Sequence, residues 1–231
     1  MTILVPIDPS RPSRAAVQVA ALLARVLDDE LLLLHVSTSP PPLDRLAELH
    51  AIAEPLRGEG VPVRLRTAQG DVVERVHAFS HGARWVVMGT RGTTLGARAR
   101  GDSVAWRVLS ASPAPVVAVR PSDVGVGAPL RDGPLLLVSP EEGAPAHALA
   151  AALSRATGQP TRRVQPALRG PGLFTGKVPP MGQPLGGAII AFDPDCLAQV
   201  WCERVVATLP EPVLLVGGGP CACEAAPRAV G

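Results

Sequence analysis

Residues 85–92 read Trp85-Val86-Val87-Met88-Gly89-Thr90-Arg91-Gly92, four large apolar side chains followed by a turn bracketed by two glycines. An uninterrupted apolar run of this length suits a strand covered on both faces, as strands of parallel sheets are. Glycines directly after such a strand let main-chain N–H groups approach a ligand with no Cβ in the way. Upstream, the same strand-length runs alternate with stretches of helical period. Thr2–Ile7 reads as strand one, and Ser13–Leu27 as a helix with Val17, Ala20, Ala21, Leu23 and Ala24 at helical spacing, opened by Pro12-Ser13. Glu30–Val36 and Leu43–Arg57 form the next strand and helix, then Val61–Arg66 and Asp71–His81, the last opened by Gly70-Asp71. After Arg84–Met88, a helix is predicted from Ser103 to Ser110, stopping before Pro113, and a fifth strand over Val116–Val119. Strands alternating with helices pair in parallel through right-handed crossovers, so the expected class is α/β with a doubly wound sheet.

Beyond this unit the pattern begins again. Arg107-Val108, Pro113, Pro115-Val116 and Val119 recur as Arg204-Val205, Pro210, Pro212-Val213 and Val216, at an offset of 97. Trp85–Met88 recurs as Ile189–Phe192 at an offset of 104, and strand one as Leu135–Val138 at an offset near 132. The second copy has thus lost seven residues where the glycine loop stands in the first, and about 28 from its middle. Residues 166–187, rich in Pro and Gly, read as an extended loop. The expected division is 1–121 as the first domain, 122–133 as a linker, 134–217 as a shortened second copy and 218–231 as a flexible tail.

Composition narrows the partners. The 231 residues are 47% hydrophobic and 18% charged, as in an ordinary globular protein. A net charge of +2 makes no case for nucleic acid or a membrane surface. No apolar run is long enough to span a bilayer, and the start of the sequence lacks a secretory pattern, so a cytoplasmic location is expected. Cys196, Cys202, Cys221 and Cys223 all lie late in the chain, a distribution that favours a reducing setting over a disulfide framework.

Residues 1–121 resemble a universal stress protein domain. The likeness rests on Ile3-Leu4-Val5-Pro6-Ile7-Asp8-Pro9-Ser10, Leu33-Leu34-His35-Val36, the Gly70-Asp71 helix start and Val86–Gly92 followed by Asp102-Ser103-Val104. It closes on Ser112-Pro113-Ala114-Pro115-Val116-Val117-Ala118-Val119. The resemblance implies a five-stranded parallel sheet of order 3-2-1-4-5, paired through fifth strands, a pairing that a tandem chain can make within itself. It also implies a site for an adenine nucleotide, ATP or AMP, at Pro6, Ile7, Asp8, Val36, Met88, Gly89, Thr90, Arg91, Gly92, Ser103 and Val104. Asp8 would accept hydrogen bonds from ribose or adenine, and the Val36 backbone would meet the base. ATP-binding members carry Gly-x2-Gly-x9-Gly-Ser/Thr; Gly89, Gly92 and Ser103 fit, whereas Asp102 stands at the third glycine.

Asp102 works against phosphate. A carboxylate ~4 Å from a phosphate charge costs ~1 kcal/mol in water-like surroundings and ~4 kcal/mol at an effective dielectric of ~20. Arg91, Arg98 and Arg100 would offset this, as would Mg2+ bridging Asp102 to the phosphates, or Gly101 taking the close-approach position. Without any ligand, Asp102 serves as an ordinary N-cap. Two readings therefore stand: a regulatory adenine-nucleotide binder, and a nucleotide-free module that docks a protein partner. An enzyme is not expected, since no Walker A loop, nucleophile elbow or paired carboxylate is present. His77 and His81, four apart, read as a solvated helix face rather than a metal site. Trp85, Trp106 and Trp201 read as core or interface, and homodimerisation is left open.

Overall fold

The structure, a computed structural model, describes residues 1–90, 104–120, 130, 132–138, 145–164, 168–169, 173–174, 187–191 and 213–218. The first half contributes β1 (Thr2–Pro6), α1 (Arg11–Leu27), β2 (Glu30–Ser37), α2 (Leu43–Gly58), β3 (Val63–Gln69), α3 (Val72–Ser80), β4 (Trp85–Gly89), α4 (Val104–Ala111) and β5 (Pro115–Arg120). The second half contributes β6 (Leu135–Val138), α5 (Pro145–Thr157), β7 (Thr161–Val164), a hairpin of β8 (Leu168–Arg169) and β9 (Leu173–Phe174), β10 (Gly187–Ala191) and β11 (Val213–Gly218).

Among the described residues, nine strands form one sheet in the order β3-β2-β1-β4-β5-β11-β10-β6-β7. Every neighbouring pair is parallel except β5 with β11, which run antiparallel from Val213 opposite Arg120 to Gly218 opposite Pro115. The apolar runs that made the strands legible are buried on both faces: Ile3, Leu4, Val5, Val86, Val87, Val116 and Val117 are all fully shielded. One core lies under α1, α2 and α5, and the other lies under α3 and α4. The two outermost strands differ in composition, with Arg64 and Arg66 exposed on β3 and Arg162 and Arg163 exposed on β7. Charged side chains on an edge strand oppose pairing with another chain.

Element boundaries depart from the sequence reading where capping and loop geometry decide. α1 starts at Arg11 rather than Ser13, because Ser10 is its N-cap and accepts from the Ser13 N–H, leaving Pro12 in the first turn. Proline is tolerated there, since the first N–H groups have no partner within the helix. The helix ends on Asp28 in the left-handed region (φ 52°), with the Asp29 N–H reaching back to the Ala24 carbonyl at 3.0 Å. α2 runs straight through Pro55, burying Leu49, Ala53 and Leu56. The stretch read as an extended loop holds the β8–β9 hairpin, and β10 starts at Gly187 within its last residue. Trp85 is core, as expected; the side chain of Trp106, the whole of Trp201 and all four cysteines lie outside the described residues.

Polar groups, one of them buried, tie the elements together. The Asp29 carboxylate, 3% exposed as a residue, pairs with Arg84 at 3.2 Å and with the Met1 amino group at 2.8 Å, linking α1, β1 and the start of β4. The Asp71 carboxylate caps α3, accepting from the Val73 and Glu74 amides at 3.0 Å each, and lies 3.7 Å from Arg107 on α4.

Candidate functional site

A doubly wound sheet leaves a crevice beyond the carboxyl ends of its strands, where the strand order reverses. In this chain the reversal falls between β1 and β4, and a cavity of about 480 Å³ opens there. Pro6, Ile7 and Asp8 line it from the end of β1, Val36 from β2, Met88, Gly89 and Thr90 from β4, and Val104 from α4. Leu34, Val72 and Ala105 complete its apolar wall, and Ser10, Pro12 and Ser13 its polar side, six residues the sequence reading did not include. Arg91, Gly92 and Ser103 lie outside the described residues, together with Gly101, Asp102 and the loop arginines.

Short-range hydrogen bonds fold the β1–α1 turn over itself. The Asp8 N–H donates to the Ser13 hydroxyl at 3.0 Å, and the Ser10 N–H donates to Asp8 Oδ1 at 3.1 Å. The Ser10 hydroxyl donates to the same carboxylate oxygen. Asp8 therefore stands at the N-terminal end of α1, where the helix dipole favours negative charge. The serines were legible in principle: Asp-x-Ser-x-x-Ser is a spacing that closes a turn and caps a helix.

Gly89 has a reason for being glycine besides ligand approach. A Cβ built there would stand 2.6 Å from the Ser13 nitrogen and closer still to the Pro12 carbonyl group. The end of β4 thus packs directly on the first turn of α1. The adjoining Thr90 N–H donates to the Val119 carbonyl at 2.9 Å, carrying β4 one residue along β5 before the loop departs.

A second, larger cavity of about 590 Å³ lies between α1 and α2, floored by Val17, Ala21, Ile52 and Leu56. It contains none of the residues expected to bind, and it opens on the helix layer instead of the strand ends. His77 is engaged elsewhere: its Nδ1 donates to the Ala111 carbonyl at 2.9 Å, tying α3 to the end of α4, and its ring meets His81 edge-on at 5.0 Å. Among the described residues no three His, Cys, Asp or Glu side chains converge as metal ligands would. No helix among them is long and apolar enough to cross a membrane.

Comparison with known proteins gives this geometry its relatives. The family model described as "Universal stress protein family" matches residues 1–120. A universal stress protein of Synechocystis sp. is 31% identical over 137 residues, spanning 51% of this chain and 84% of that protein. Among solved structures, a universal stress protein from Archaeoglobus fulgidus superposes with a TM-score of 0.61 at 16% identity, covering 94% of this chain and 96% of that one. A functionally unknown protein from Pseudomonas aeruginosa PAO1 gives 0.62 at 17% identity, covering 95% and 92%. Likeness at these low identities concerns the fold. The sequence matches across the first half carry the assignment, and on them this chain belongs to the universal stress protein family.

Proposed function

We propose that the chain is a regulatory protein of the stress response that binds an adenine nucleotide, ATP or AMP, in the cavity between β1 and β4. The observation that carries this reading is convergence: eight of the eleven expected positions line one cavity at the reversal point of the sheet. Its mixed lining suits such a ligand. Leu34, Val36, Val72 and Ala105 offer an apolar slot for a base, and Asp8 and the serines stand on the polar side for sugar hydroxyls. Magnesium is expected only as the counter-ion that ATP brings with it.

On the same reading, residues 134–217 are a shortened second copy without a site of its own. Support comes from the strand order, since β11-β10-β6-β7 mirrors β5-β4-β1-β2 across the antiparallel pair. The role is binding and not catalysis, with occupancy of the first half setting stability or partner choice. Isothermal titration calorimetry should give a heat of binding with ATP or AMP that weakens when Gly92 is replaced by leucine. Absence of heat with both nucleotides would reject the reading. The rival, a nucleotide-free docking module, draws on Asp102 in the place of the motif glycine. It predicts that the wild-type chain shows no thermal shift with ATP and that Asp102→Gly does.

A further inference from the structure

The β1–β2 ladder ends in a way that its alternation does not require. On β2, the Glu30 N–H donates to the Met1 carbonyl at 2.9 Å, and the Leu34 carbonyl accepts from the Ile7 N–H at 2.8 Å, so even-numbered residues face β1. The Leu31 N–H donates to the Pro62 carbonyl at 2.8 Å and the Ser37 carbonyl accepts from the Gly70 N–H at 3.1 Å, so odd-numbered residues face β3. The next bond of the β1 series would run from the Val36 N–H to the Ile7 carbonyl. It is not made. The Ile7 carbonyl accepts instead from His35 Nδ1 at 3.0 Å. A carbonyl can only accept, so this imidazole nitrogen carries the proton.

The consequence falls on Val36. Its amide points to the side where β1 has ended, lines the cavity, and has no hydrogen-bond partner among the described residues. His35 itself is buried, 9% exposed, and sits beneath the turn that carries Asp8. We infer that His35 is a positioning residue: by holding the Ile7 carbonyl turned toward its own ring, it stops the ladder one step early and keeps the Val36 N–H open for a ligand acceptor. The ligand part of this inference rests on the nucleotide reading of the cavity; the hydrogen-bond part does not.

Amide exchange followed by NMR separates the two. In the unliganded protein the Val36 amide is expected to exchange at least ~10-fold faster than that of Leu34, the difference one ladder bond makes. In His35→Leu the freed Ile7 carbonyl captures the Val36 amide, so its exchange slows toward that of Leu34 with no ligand present. The same variant binds ATP ~10-fold more weakly, the worth of one hydrogen bond. His35→Asn, whose amide can donate from nearly the position of Nδ1, restores fast exchange and affinity to within ~3-fold. A Val36 amide as protected as Leu34 in the wild-type protein overturns the inference, and this measurement needs no variant to fold. So does a folded His35→Leu protein with unchanged ATP affinity. If the wild-type chain binds no ATP while Val36 exchange still depends on His35, the cavity reading fails and the ladder-stopping role of His35 stands.

Discussion

Single residues at the cavity serve the fold and the site together, and Gly89 is the clearest case. Its sequence context, between an apolar strand and a second glycine, pointed to ligand approach; its place in the structure adds contact with the α1 backbone at Pro12 and Ser13. Backbone cannot move aside as a flexible side chain can. Gly89→Ala is therefore expected to destabilise the protein by ~1–3 kcal/mol, the usual range for overpacking, read as a lower urea midpoint at unchanged slope. A wild-type midpoint would mean that α1 shifts freely. The consequence for binding experiments is practical: lost affinity in a Gly89 variant would report a displaced helix as readily as a crowded phosphate. Asp8 was legible by position, at the end of the first strand. The two serines that fold the turn around it were read only as the close of the first motif (Ser10) and the start of the helix over Ser13–Leu27 (Ser13), because helix period says nothing of which side chain a capping serine will meet.

At the scale of elements, α2 carries a proline that helix propensity argues against. Pro55 is exposed, lies inside the Leu43–Gly58 helix, and removes the N–H that the Ala51 carbonyl would accept. Pro55→Ala restores that bond and is expected to raise stability by ~1–3 kcal/mol, up to the full helix-interior penalty of proline. Chemical denaturation checks it; a loss of stability would show that Pro55 acts through packing or through the unfolded chain. The strands were easier to read than the helices' ends. Parallel strands buried on both faces announce themselves as apolar runs, so β1, β2, β4, β5 and β6 were all legible to within one or two residues. Helix ends depend on single caps such as Ser10, and an apolar pattern does not reveal which serine is chosen. β7 and the β8–β9 hairpin were missed for a different reason: Thr161-Arg162-Arg163-Val164 has neither alternation nor an apolar run.

For the whole molecule, the antiparallel pair at the centre of the sheet is the decisive feature. β11 covers the edge of β5, whose Val116, Val117, Ala118 and Val119 are at most 1% exposed. Residues 1–121 alone would present that apolar edge to solvent. The family model ends at residue 120, so the excised half is expected to fold, and it should then self-associate through β5. Sedimentation velocity should show a concentration-dependent dimer for this half, while a monomer at all concentrations would contradict the role given to the edge. The repeat offsets made a second set of strands legible, and its pairing through fifth strands was implied by resemblance. Patterning could not show that α5 would lie against α1 in a shared core, since that contact joins residues at least 118 positions apart.

The guanidinium groups on β3 and β7 acquire a further meaning from this arrangement. Strand addition is how sheets propagate into fibres, and a sheet already nine strands wide could in principle keep adding copies at its flanks. With Arg64, paired to Glu30, and Arg66 on one flank and Arg162 and Arg163 on the other, an added strand meets exposed charged side chains at both ends. The polypeptide has in effect a built-in stop, so that the tendency to pair, satisfied once within the chain, does not run on into polymerisation.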